Sequence, residues 1–122
     1  MGEKKVLVVE DEEYIATLIK EILRRTGTEA VVTSRAEEAL SVLENQEHPD
    51  LAIVDVSLPD MNGLELYRTI RERFPSLNSR FLFMSGYTPE DDLIQLVQNS
   101  ENRFIQKPFH LLDLQKTIEN ML

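Results

Sequence analysis

Five times along this chain, a continuous apolar run gives way to apolar residues at three- and four-residue spacing. Val6-Leu7-Val8-Val9 is a continuous apolar run, whereas from Glu13 onward Ile15, Leu18, Ile19, Ile22 and Leu23 recur at three- and four-residue spacing. The first pattern predicts a short strand covered on both faces, the second a helix with one apolar side. The same pair of patterns returns with Ala30-Val31-Val32 and then Ala36, Ala39, Leu40 and Leu43. Leu51-Ala52-Ile53-Val54 precedes a helix carrying Leu66, Tyr67, Ile70 and Phe74. Phe81-Leu82-Phe83-Met84 precedes Leu93, Ile94, Leu96 and Val97, and Phe104-Ile105 precedes Leu111, Leu114, Ile118 and Met121. Boundary signals agree. Gly27 stands just past the first helix, Ser34 and Glu37 have capping-box spacing, and Thr88-Pro89 reads as a cap with proline at the first helical position.

Strands alternating with helices imply right-handed crossovers and a parallel sheet with helices on both faces, an α/β fold. The 122 residues contain no linker, repeat or low-complexity segment, so residues 1–122 are expected to form one domain with no output domain attached. A net charge of −9 argues against nucleic-acid binding and against an anionic membrane surface. No apolar run approaches the roughly 18 residues that would span a bilayer, so no membrane insertion is expected. Met1-Gly2-Glu3-Lys4-Lys5 opens no signal peptide, and Val6 stands where a myristoylation start wants Ser or Thr. Cysteine is absent, which removes disulfides and thiolate metal sites. A cytoplasmic address fits these features.

In an open parallel sheet, ligands sit beyond the carboxyl ends of the strands. Those ends carry Glu10 and Asp11, Asp55, Ser85 and Lys107. Taken singly, each has an ordinary explanation as a helix cap, a turn or a loop residue. Together they would meet on one rim. Crowded carboxylates repel unless a cation intervenes, and magnesium, a hard ion with oxygen ligands, suits the gap. Asp55 would then stay ionised and could attack phosphorus to give an aspartyl phosphate. Lys107 would steady the phosphoryl oxygens, and Ser85 would donate a hydrogen bond to one of them. Phosphoryl transfer is the chemistry this set supports.

The segments Val8-Val9-Glu10-Asp11, Val54-Asp55-Val56-Ser57-Leu58-Pro59-Asp60-Met61-Asn62-Gly63, Phe83-Met84-Ser85-Gly86-Tyr87 and Lys107-Pro108-Phe109 resemble a response-regulator (CheY-like) receiver domain. The likeness covers essentially the whole chain. It implies a doubly wound (βα)5 flavodoxin-like fold, strand order 2-1-3-4-5, in two-component or phosphorelay signalling. It also implies Mg2+-dependent transfer to Asp55 from a partner histidine kinase or histidine phosphotransfer domain. By the same resemblance Asp11 is the direct metal carboxylate, Glu10 a water-mediated one, the Ser57 backbone carbonyl a further ligand, and the Lys107–Pro108 bond is cis. On phosphorylation, Ser85 would be drawn to the phosphoryl group and Phe104 would take the part of the aromatic that turns inward behind it. The face made by the fourth helix, fifth strand and fifth helix would then change shape for a downstream protein. Phe104 equally reads as a plain core aromatic.

Glu10 departs from the family's more usual aspartate. Ser57 and Tyr87, two positions beyond Asp55 and Ser85, match the family's tuning sites, and the Tyr87 ring is expected to shield the acyl phosphate from water. His48 and His110 are expected at the surface, so the phosphohistidine comes from elsewhere. Phe83-Met84-Ser85-Gly86-Tyr87-Thr88 is similar to receivers fused to sensor kinases. The competing readings are a Mg2+-dependent phosphatase with an aspartate nucleophile, a flavin module and a non-phosphorylated scaffold. The phosphatase wants an acid where Ser57 stands, and the flavin module wants a Gly/Ser/Thr cradle where Glu10-Asp11-Glu12-Glu13 stand. The expected protein is a self-phosphorylating and self-dephosphorylating switch rather than a turnover enzyme.

Overall fold

The computed structural model describes residues 4–45, 48–86, 91–98 and 100–122. Its strands are β1 (Lys5–Val9), β2 (Glu29–Thr33), β3 (Leu51–Asp55), β4 (Arg80–Ser85) and β5 (Arg103–Gln106). Its helices are α1 (Glu13–Arg25), α2 (Ala36–Asn45), α3 (Gly63–Arg73), α4 (Asp91–Gln98) and α5 (Leu111–Met121). All strand pairs are parallel and the order is β2-β1-β3-β4-β5, the doubly wound arrangement expected.

Successive strand side chains point to opposite faces, which explains the unbroken apolar runs. Val6, Val8, Leu51, Ile53, Leu82 and Met84 pack with α1 and α5. Their neighbours Leu7, Val9, Ala52, Val54, Phe81 and Phe83 pack with α2, α3 and α4. All five positions of β3 are buried, whereas the edge strands β2 and β5 are partly exposed. Phe81 and Phe83 are fully buried and meet Tyr67 edge-on, with centroids 4.8 and 5.7 Å away. The Arg71 guanidinium stacks on Tyr67 and donates to the Leu77 carbonyl (2.8 Å), fastening the α3–β4 connection.

Gly27 has φ +71° and closes α1 with paired bonds, Gly27 N–H to Arg24 C=O and Thr28 N–H to Leu23 C=O. That is the left-handed cap foreseen at this position. The start of α2 departs from expectation. The helix begins one residue later than a Ser34–Glu37 box requires, and Glu38 reaches back to the Ser34 N–H and hydroxyl instead. Arg35 at the cap position offers no acceptor, so Asp60 supplies one from the β3–α3 loop. Its two carboxylate oxygens accept the N–H groups of Ala36 and Glu37, each at 3.0 Å. Slight burial opposes the charge, but these two amides hold the Asp60 carboxyl below its ordinary value. Asp60→Ala is expected to cost about 1 kcal/mol, the ordinary worth of such a cap, seen as a Tm lower by about 4 °C. Because the Asp60 pKa is depressed, that contribution should vanish as pH falls through it.

Two apolar expectations need correction. Leu93 alone of the α4 set is fully buried. Leu111 is 50 % exposed and lines an open groove with Tyr14 and Phe109 at the rim, so α5 reaches the core through Leu114, Ile118 and Met121. The Thr88-Pro89 cap lies outside the described residues.

Candidate functional site

Backbone pairing continues one residue past β1, β3 and β5, and Ser85 is itself the last paired residue of β4. Glu10 N–H donates to Thr33 C=O (3.0 Å), Val56 N–H to Met84 C=O (2.8 Å), and Lys107 N–H to Ser85 C=O (2.7 Å). Glu10, Asp55, Ser85 and Lys107 therefore leave the sheet from a rigid edge rather than from free loops. Beyond Asp55 the chain doubles back. Ser57 bridges to Asn62, Gly63 N–H donates to Val56 C=O (2.8 Å), and Asn62 caps α3 through Leu64 N–H (2.7 Å). At Gly63 a Cβ would collide with the Asp55 carbonyl oxygen and lie 2.8 Å from Val56 Cα, so this approach requires glycine.

The Lys107 ammonium occupies the centre. Nζ lies 3.1 and 3.3 Å from the two Glu10 oxygens, 3.0 Å from Glu12 Oε1 and 3.0 Å from Asp55 Oδ2. The other Asp55 oxygen accepts Ser57 N–H at 2.9 Å. The Glu10 side chain is 0 % exposed and that of Asp55 4 %. Asp11 is exposed, yet carboxylate oxygens of Glu10, Asp11 and Asp55 all lie within 4.8 Å of one another. Burial, reinforced by the Asp55 charge and opposed by Lys107, pushes the Glu10 carboxyl up to about 7. Burial works against the Lys107 charge, but hydrogen bonds to Glu12 and Asp55 and the nearby anions hold it above its ordinary value. One ammonium does not fully balance this group. A buried acid poised near neutrality beside two more carboxylates is an oxygen donor set with charge to spare, which fits a hard divalent cation.

The structure thus brings Glu10, Asp11, Asp55 and Lys107 together, as read from the sequence. Ser85 is buried at the end of β4, and Asp11, Glu12, Asp55, Ser57, Gly86 and Lys107 line an open pocket at the rim. The Lys107–Pro108 bond is cis. Phe104 sits opposite Phe83 in the β4–β5 ladder, half-buried against the α2–α3–α4 core. That position is neither a sealed core site nor an exposed one. His48 and His110 are both exposed. Tyr87 lies outside the described residues. Sequence reasoning missed Glu12. An acid just before a helix reads as a cap, and its lysine partner is 95 residues further along.

A family model described as the response regulator receiver domain matches residues 6–119. The chain is 33 % identical over 119 residues to the alkaline phosphatase synthesis transcriptional regulatory protein PhoP of Bacillus subtilis (strain 168), covering 98 % of this chain and 48 % of that protein. It is 27 % identical to the polar-differentiation response regulator DivK of Brucella ovis, covering 98 % of this chain and 96 % of DivK. It therefore spans about half the length of the one relative and nearly all of the other. Among solved structures, a CheY-like response regulator receiver domain protein from Methanospirillum hungatei JF-1 superposes with TM-score 0.83 at 28 % identity, covering 98 % of this chain and 93 % of that one.

Proposed function

Because the chain belongs to the response regulator receiver domain family, we propose that its phosphoacceptor is Asp55, charged from a partner's phosphohistidine. The chain is a phosphoacceptor receiver, and the observation that carries the assignment to Asp55 is geometric. Asp55 is a nearly buried carboxylate closing the central strand, with the Lys107 ammonium 3.0 Å from one of its oxygens. Asp11 and Asp55 would hold Mg2+ directly, Glu10 through water, and the Ser57 backbone carbonyl would add a ligand. When bound, the ion neutralises the crowded carboxylates and draws charge from the phosphoryl oxygens.

The remaining work falls to the chain. Ser57 N–H fixes one Asp55 oxygen and leaves the carboxylate oriented for attack. Lys107 steadies the phosphoryl group as charge develops on it, and the Ser85 hydroxyl donates to one of its oxygens. Ser57 itself offers no acid to drive rapid turnover, so the phosphoryl group accumulates and the protein acts as a switch rather than a phosphatase. Phe104 and the α4–β5–α5 face would carry the change to a downstream protein. The single buried side chain of α4, against five in the longer α1, supports a helix that shifts at low cost. The donor would be a histidine kinase or a histidine phosphotransfer domain. No helix among the described residues is long and apolar enough to cross a membrane. A receiver with no nucleic-acid partner fits the net charge of −9.

Incubation with Mg2+ and acetyl phosphate should add one phosphoryl group by intact mass, and a chelator should prevent it. The metal should also show the Glu10 carboxyl. With its pKa raised to about 7, Glu10 gives up a proton as the ion binds, so Mg2+ should bind more weakly at pH 6 than at pH 8. A carboxyl raised to about 7 makes the metal-free fold lose stability as pH climbs from the ordinary 4.5 to about 7, and because Mg2+ needs the ionised form it should raise Tm more at pH 8 than at pH 6.

A further inference from the structure

Glu12 has no task in the transfer outlined above. It precedes α1, and its carbonyl accepts Ala16 N–H at 3.0 Å as a cap residue's should, but its side chain makes no cap bond. The carboxylate turns instead to Lys107, at the same 3.0 Å that separates Lys107 from Asp55. Its own N–H donates to Glu10 Oε1 at 3.2 Å, which holds this stretch of backbone against the site. A lysine ammonium has three N–H donors and no more. Glu10, Glu12 and Asp55 take all of them, so a phosphoryl oxygen arriving at Asp55 needs one released.

The three partners do not release equally. The Glu10 side chain is 0 % exposed and that of Asp55 4 %, but that of Glu12 is 59 % exposed. Withdrawing Lys107 from a sealed carboxyl leaves a buried polar group without its partner and away from water. Withdrawing it from an exposed one forfeits a weak pair that water replaces. Asp55 is where the phosphoryl group itself attaches.

We propose that Glu12 is a positioning residue, a resting-state latch that occupies Lys107 and yields it when the phosphoryl group arrives. The proposal rests on the reading of Asp55 as phosphoacceptor. In the transfer, an Asp55 oxygen bonds to phosphorus as the bond from phosphorus to the donor nitrogen breaks. The electron pair leaves on that nitrogen, which takes a proton from water. Lys107 keeps its protons and moves one N–H from Glu12 to a phosphoryl oxygen, and Glu12 turns to solvent.

The test uses the whole chain in saturating Mg2+ with phosphoramidate as the P–N donor, followed by intact mass. Glu12→Gln should speed phosphoryl uptake roughly two- to five-fold, the range expected for losing an exposed pair. It should tighten beryllofluoride binding by a similar factor while Mg2+ affinity changes less. Glu12→Asp, which keeps the charge but is one methylene short, should move in the same direction. Glu13→Gln removes an equal charge from the adjacent exposed acid, which does not bond Lys107, and should do far less. Equal effects from Glu12→Gln and Glu13→Gln would overturn the latch in favour of general charge at the mouth. An unchanged or slower uptake in Glu12→Gln overturns it too, since Glu12 would then be holding Lys107 where the chemistry needs it. If the unaltered chain gains no phosphoryl group at all, the Asp55 reading fails and takes the latch with it.

Discussion

Asp55→Asn should take up no phosphoryl group under conditions that fully modify the unaltered chain. The replacement is nearly isosteric, so the fold and the Ser57 N–H contact should persist, but an amide oxygen lacks the charge to displace a leaving group from phosphorus. The loss is therefore complete rather than partial. A second effect identifies the cause. Asp55 contributes to the elevation of the Glu10 carboxyl, so deleting its charge should bring Glu10 down from about 7 toward the ordinary carboxylate range. Lys107 would still pair with Glu10 and Glu12. Intact mass reads the first effect, and a carbon-detected NMR titration of the Glu10 carboxyl reads the second. A phosphoryl group found on another residue of Asp55→Asn would refute the assignment.

Lys107→Met should slow uptake by roughly a hundred- to a thousand-fold, the cost of removing one preorganised charge stabiliser. The metal should respond differently. Lys107 holds oxygens of Glu10 and Asp55, the same groups a divalent ion would need. With the ammonium gone the ion has no rival, so Mg2+ affinity should hold or rise while transfer collapses. A parallel loss of both would mean that Lys107 mainly organises the carboxylates. Thermal melts with and without Mg2+, beside uptake rates, separate the outcomes.

The elements most legible in the sequence are those covered on both faces. β1, β3 and β4 announce themselves as unbroken apolar runs because Val8 faces one core and Val9 the other. Edge strands β2 and β5 carry a thinner signal, since one of their sides meets solvent and tolerates Glu29 or Arg103. The rim residues were readable because strand ends share a register, so Asp55 and Lys107 could be placed together without knowing a single distance. Contacts between loops were not readable. Nothing near Ala36 in the sequence points to Asp60, 24 residues on, as the acceptor for its N–H. Leu111 shows the converse failure. Its spacing matches the buried side of α5, but that turn projects into the rim groove, where periodicity says nothing about cover.

The Asp60 clamp bears on how a donor approaches. Counted along the chain, Glu10, Asp11, Glu12, Glu13, Asp55 and Asp60 suggest a mouth hostile to any incoming dianion. The true field is milder, because two amides at the head of α2 absorb the Asp60 charge and one ammonium is shared among three of the others. Repulsion of a like-signed molecule at this mouth is therefore weaker than the count of acids along the chain implies.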